Sequence, residues 1–215
     1  MNKTMNLEQT LSKIRELEVE INKLYKVGEA FYNSSHDEYL KILDRYLDKE
    51  DSEVVYKTLV LGADKDTGNI LSAMQEVHRC DELFPDLFKY DSVSVSEFDD
   101  KFSKLYSSFI KQSDEDINRT KKENLSNEAR EVLGKYYFLH DDRFIKVTGF
   151  HGEEQIISLT ITKVDDEYRY PSVEYNDLLH YNIKMINNLQ FAKEITESDF
   201  LSEYSKVFSF LRDNK

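Results

Sequence analysis

Hydrophobic positions recur along this chain with two different periods, and the change falls past its midpoint. In "LEQTLSKIRELEVEINKLYKVGEAF", Leu7, Ile14 and Ile21 repeat every seven residues, with Leu17, Leu24 and Phe31 at complementary positions. That spacing is a heptad seam of about three and a half repeats, and Leu11 widens it toward the broader stripe of a bundled helix. Two readings stay open for it: packing within the chain, or a homodimer through residues 7–31. Ser34 or Ser35 suits the cap of a helix starting near His36, on which Tyr39, Leu40, Leu43 and Leu47 share a face. Helical spacing continues over 52–61. It resumes after "DKDTG", where Ile70, Leu71, Met74 and Val77 carry a stripe as far as about Leu83. "ELFPDLFKYDSVS" reads as a loop. Ser96 then precedes a long helix with Phe98, Phe102, Leu105, Tyr106, Phe109 and Ile110 at helical spacing, and "KQSDEDINRTKKEN" extends it as a solvated face.

Beyond about residue 134 the period becomes two. "KYYFLH", "RFIKVTGF" and "QIISLTITKV" are rich in aromatic and β-branched residues and are separated by short polar turns. In the third of these, Ile157, Leu159 and Ile161 alternate with Ser158, Thr160 and Thr162, which predicts one buried and one wet face. "YRYP" opens a fourth extended segment, and Pro171 belongs at an edge or a strand end. "NIKMINNLQFAKEI" fits strand and helix alike and is read as strand. The last stretch is a helix with Thr196 as N-cap and Asp199 three residues on, its apolar face formed by Phe200, Tyr204, Val207, Phe208 and Leu211. No repeat of useful length is visible.

These patterns predict an α+β protein in two parts: an N-terminal helical bundle over 1–125, then a small antiparallel sheet with a C-terminal helix over 126–215. Composition narrows the function classes. The 215 residues include 6 Gly and 2 Pro, so long flexible linkers and Gly-rich phosphate loops are not expected. A net charge of −13 disfavours direct contact with nucleic acid or with anionic membranes. The single cysteine, Cys80, excludes an internal disulfide and a thiolate zinc site, and the opening "MNKTMNLEQTL" lacks a signal-peptide core. The expected location is the cytoplasm, that of the host cell if the chain is phage-encoded.

Candidate chemistry is sparse. "FLHDDRFIKVTGFHGEEQ" gathers two histidines and several carboxylates, but its polar groups fall at successive turns of a meander. Such turns lie at opposite ends of the strands, so His140 and Asp142 are not expected to share a site with His151 and Glu153. Asp165, Asp166 and Glu167 should instead return to the end that holds Asp141 and Asp142, forming one acidic cluster beside His140. "DKDTGNILSAMQE" departs from a calcium loop at its fifth, sixth and twelfth places, held by Gly68, Asn69 and Gln75, and Asp66 or Thr67 reads as an N-cap. His78 and Cys80 have no further ligand at metal spacing. There is no G-x-S-x-G, P-loop or G-x-G-x-x-G motif, so no catalytic residue, metal ligand or cofactor is assigned.

Charge distribution says more. Residues 51–100 carry 12 Asp and Glu against 4 Lys and Arg, whereas residues 101–150 carry 8 against 10. Within the acidic stretch, Asp81, Glu82, Asp86, Asp91, Glu97, Asp99 and Asp100 are interleaved with Phe84, Phe88 and other apolar residues. Acids among aromatic anchors suit an interface, and equally an acidic loop whose Phe84, Leu87 and Phe88 cap the core.

"KYYFLHDDRFIKVTGF" and "KEITESDFLSEYSKV" resemble the C-terminal β-plus-helix modules of small accessory proteins from phages and mobile elements, over about 80 residues. The resemblance implies proteins that act by binding host factors, including inhibitors of bacterial defence systems, and brings no catalytic residues with it. The expected function is therefore non-enzymatic: an acidic protein occupying a basic site on a host protein, such as a nucleic-acid-handling or defence effector. Two alternatives from other classes are an assembly factor that oligomerises through the N-terminal helix and a metal-dependent hydrolase using the turn carboxylates.

Overall fold

The segment from Asp64 to Gly68 closes a β-hairpin instead of capping a helix. The Asp64 carboxylate accepts hydrogen bonds from the Thr67 amide at 2.8 Å and the Thr67 hydroxyl at 2.7 Å. Those bonds hold its carboxyl below the ordinary range. Gly68, at φ 68°, supplies the left-handed step that lets its N–H return to the Asp64 carbonyl at 2.7 Å. The chain thus reverses where a helix was expected to begin.

The computed structural model describes residues 26–47, 54–79, 91–140, 142–152, 155–163 and 171–213, together with Ser12 and Arg15. A short strand and three long ones come first: β1 (Ala30–Asn33), β2 (Glu38–Leu47), β3 (Val54–Ala63) and β4 (Ile70–Arg79). A short strand, β5 (Asp91–Val93), leads into helix α1 (Val95–Thr120) and the brief α2 (Asn127–Val132). A second set follows: β6 (Tyr136–Leu139), β7 (Arg143–His151), β8 (Gln155–Thr162) and β9 (Ser172–Asn182). The chain closes with α3 (Ile183–Ile186), β10 (Ala192–Ile195) and α4 (Glu197–Asp213).

The helical bundle expected over 1–125 is overturned by this order. Residues 36–47, 52–61 and 70–83 were expected as helices, and their described parts form β2, β3 and β4. Phe31, the last position of the heptad seam, is a buried β1 residue paired with Leu40. Ser34 to Asp37 form the turn between β1 and β2, where the Tyr32 hydroxyl donates to Asp37 at 2.8 Å. The remaining seam positions, Leu7 to Leu24, lie outside the described residues. The strands β6, β7 and β8 and the long helix stand where their periods put them, but the helix starts at Val95 with Ser94 as its cap, and Ser96 lies inside it.

Among the described residues, ten strands join one antiparallel sheet in the order β10-β6-β7-β8-β9-β4-β3-β2-β1-β5. The order is a duplication. Each half is a four-stranded meander, β1–β4 or β6–β9, completed by a short strand that pairs with the meander's first strand and enters a long helix. The halves meet through β4 and β9, where Ala73 lies opposite Val173. Strands from before and after residue 125 thus share one sheet.

Both long helices lie on one face of this sheet. Phe98, Phe102, Leu105 and Phe109 of α1, with Phe200, Tyr204, Val207, Phe208 and Leu211 of α4, pack against Leu59, Leu61, Ala73, Phe144, Leu159, Ile161 and Val173. The helices cross-pair in antiparallel fashion, Phe102 with Phe208 at 5.7 Å and Tyr106 with Tyr204 at 4.9 Å between ring centroids. The Tyr204 hydroxyl donates to the Tyr106 carbonyl at 3.0 Å, and burial raises its pKa far above a phenol's usual value. On the opposite face, α2 and α3 cover Tyr137, Leu139, Ile145, Val147 and Ile156. Ser158 and Thr160, expected to be wet, are buried there, and their hydroxyls bond each other at 2.8 Å. Pairing these two hydroxyls lets β8 bury both of its faces.

Candidate functional site

The described part of the acidic stretch forms one corner of the molecule. β5 pairs with β1 at an end of the sheet, which sets Asp91 opposite Tyr32. Ser94 ends the strand and caps α1, its hydroxyl accepting the Glu97 amide at 3.1 Å. This short connection brings Asp91, Glu97, Asp99 and Asp100 to the same exposed corner. Carboxylates in the first turn are also favourable to the helix dipole.

Part of that charge is engaged within the chain. Asp99 pairs with Lys41 of β2 at 2.6 Å, and Lys41 also lies 5.8 Å from the centre of the Phe98 ring. Asp100 pairs with Lys104 at 2.5 Å across one helical turn. Their side chains nonetheless remain 55% and 60% exposed. Val95, 40% exposed, adds an apolar surface beside them. Phe98 is a core residue, wholly buried. Asp81, Glu82, Phe84, Asp86 and Phe88 lie outside the described residues.

Of the second acidic cluster, Asp142 is described. It takes the left-handed conformation, φ 62°, and its carbonyl accepts the Lys163 amide at 3.1 Å. The far end of β8 therefore does return to the turn before β7, while Asp141, Asp165, Asp166 and Glu167 lie outside the described residues. His140 is held beside the segment between α3 and β10: its Nε2 lies 3.0 Å from the Leu189 carbonyl. His151 pairs with Gln155 at the other end of β7, roughly 30 Å along the strand. The two histidines belong to different ends of the sheet. Among the described residues, no three His, Cys, Asp or Glu side chains converge as a metal site would require.

Two polar features on strands escape the charge pattern altogether. Lys146 on β7 is 3% exposed and donates to Ser113 at 3.0 Å and Asp114 at 2.5 Å on α1, tying helix to sheet. Glu174 on β9 carries a carboxyl raised first by burial and then by the nearby charge of Asp177, with Ser172 and Arg143 opposing the shift.

A third feature is a pocket of about 150 Å³ beside the other end of the sheet. Its apolar wall comes from Val132, Tyr137, Ile186 and Ala192, and its rim from Glu131, Lys135, Asn187, Leu189 and Glu194. Lys135 and Glu194 pair at 3.0 Å. Tyr137 is buried, which with the charge of Glu194 pushes its hydroxyl up to about 12. The pocket exists because "NIKMINNLQFAKEI" divides: Asn182 caps α3 by accepting the Met185 amide at 3.0 Å, and β10 starts only at Ala192. The signal was Leu189 and Phe191 among Asn and Gln, apolar residues with no periodic partner.

Among the described residues no helix is long and apolar enough to cross a membrane. Neither a protein-family model, nor a curated protein, nor a solved structure matches the chain.

Proposed function

We propose that the protein is a non-catalytic binding protein whose acidic corner occupies a basic site on a partner protein. One observation carries the reading: Asp91, Glu97, Asp99 and Asp100 are all exposed along the short stretch where β5 enters α1. A sheet edge and a helix start hold the backbone of these residues before contact, which limits the ordering needed on binding. Their common sign gives a field that reaches beyond contact distance and accelerates encounter with a positive cleft. Effectors that handle nucleic acid, including those of bacterial defence, hold such clefts because phosphate contacts require clustered Lys and Arg. Val95 at the same corner supplies apolar contact that charge alone does not.

Affinity capture from the cells that make the protein tests this. The wild type should recover a basic protein that the Asp91→Lys, Glu97→Lys variant loses. Glu115→Lys with Glu123→Lys changes the net charge equally but at the far part of α1 and beyond, and should still recover it. Equal recovery by both variants would remove the corner from the account.

A further inference from the structure

We propose that the edge of β10 that pairs with no strand among the described residues, and the pocket beside it, dock an extended segment of a partner protein. One aliphatic or aromatic side chain would seat in the pocket, with a Lys or Arg at its rim. This surface is independent of the acidic corner, since β10 and β5 close opposite ends of the ten-stranded sheet.

The main chain makes the first argument. Among the described residues, β10 pairs with β6 alone. The His140 amide donates to the Phe191 carbonyl at 3.2 Å, and in an antiparallel ladder bonded and non-bonded pairs alternate. Lys193 and Ile195 therefore direct their peptide groups to β6, while the N–H and carbonyl of Glu194 point away from it. The Ala192 amide is already taken by the Asn188 carbonyl at 3.2 Å. A strand laid on this edge meets a donor and an acceptor at Glu194, the residue that also lines the pocket.

The pocket defines what that strand carries. Ala192 and Glu194 share a face of β10, so an incoming strand paired there presents alternate side chains to the same face. A volume of about 150 Å³ accepts a benzene-sized group. Leu189, 79% exposed, extends the apolar surface at its mouth. At the rim the Glu131 and Glu194 carboxylates outnumber the Lys135 ammonium, which favours a cationic neighbour to the seated side chain.

Titration of the isotope-labelled full chain with blocked synthetic heptapeptides, followed by amide NMR, tests the assignment. The peptides alternate Thr and Val, carry Phe or Asp at the centre, and are flanked by Lys or by Glu. The Lys-flanked Phe peptide should shift the amides of Tyr137, Lys193 and Glu194 saturably. Central Asp should weaken it roughly tenfold or more, and Glu flanks should also weaken it. Glu194→Pro removes the outward donor while sparing the β6 ladder and should abolish binding. Glu194→Gln keeps the donor and should lose only the charge contribution. Leu189→Asp changes an exposed side chain, so it tests the mouth of the pocket even if the proline variant does not fold. Asp91→Lys with Glu97→Lys should leave this titration unchanged, which separates it from the proposed function. No peptide binding, or binding indifferent to the central residue and to Leu189→Asp, overturns the proposal. Shifts in the same amides that grow with protein concentration without peptide would assign the edge to a second copy of the chain and overturn it equally.

Discussion

Lys146 on β7 places its ammonium 2.5 Å from the Asp114 carboxylate of α1, at a point where the lysine is buried and the aspartate is not. The pair fixes the helix to the sheet through a charge that water cannot reach from the strand side. Removing the two partners should have unequal effects. Asp114→Ala leaves a buried ammonium with Ser113 and the Tyr136 ring beside it and should cost about 1.5–3 kcal/mol, the range for a hydrogen bond to a charged group. Lys146→Met removes the buried charge itself and should cost less. Denaturant unfolding of both variants and the double variant checks this. A double variant less stable than Lys146→Met by the full Asp114→Ala cost would show that the two residues are not coupled.

Glu174 makes stability depend on pH in a stated direction. Burial and Asp177 raise its folded pKa above the ordinary value of 4.5, so the folded state holds the proton more tightly than the unfolded state. Its stabilising contribution is complete below the unfolded pKa and is lost as pH rises through the folded pKa. Glu174→Gln should therefore match the wild type near pH 4 and become progressively more stable relative to it toward pH 7. Paired unfolding curves across that range measure the difference, and a difference that does not change with pH would refute the assignment.

Gly62 reports on the register of the first meander. It lies opposite Ser72, and a Cβ added there would stand 2.6 Å from the Ser72 hydroxyl. Gly62→Ala should cost up to about 1.5 kcal/mol, the scale of forcing a side chain off its rotamer. The cost should disappear in a Ser72→Ala background. Additive effects would place the two residues apart, as the overturned helical reading did.

The C-terminal strands were legible because each had a short alternating pattern bounded by turn residues. The first meander was not, and β2 shows why. Tyr39, Lys41 and Leu43 face α1 while Leu40 and Ile42 are buried on the other side, so alternation is erased. A run buried on both faces then matches helical spacing at Tyr39, Leu40, Leu43 and Leu47 by coincidence. The duplication was invisible because it lies in strand order and in the caps: Ser94 and Thr196 each follow a short edge strand and start a long helix. The acidic corner was legible as charge, but only the β5–β1 pairing brings Asp91 to the start of α1. The pocket depended on a division of residues 183–195 that periodicity alone does not give.

The central claim is that the acidic corner guides a basic partner into place, and association kinetics test it most directly. With the captured partner, the association rate of the wild type should fall as salt rises and its charges are screened. The Asp91→Lys, Glu97→Lys variant should associate more slowly at low salt, with a flatter salt dependence, and approach the wild-type rate at high salt. Equal rates for the two proteins at low ionic strength would contradict the account.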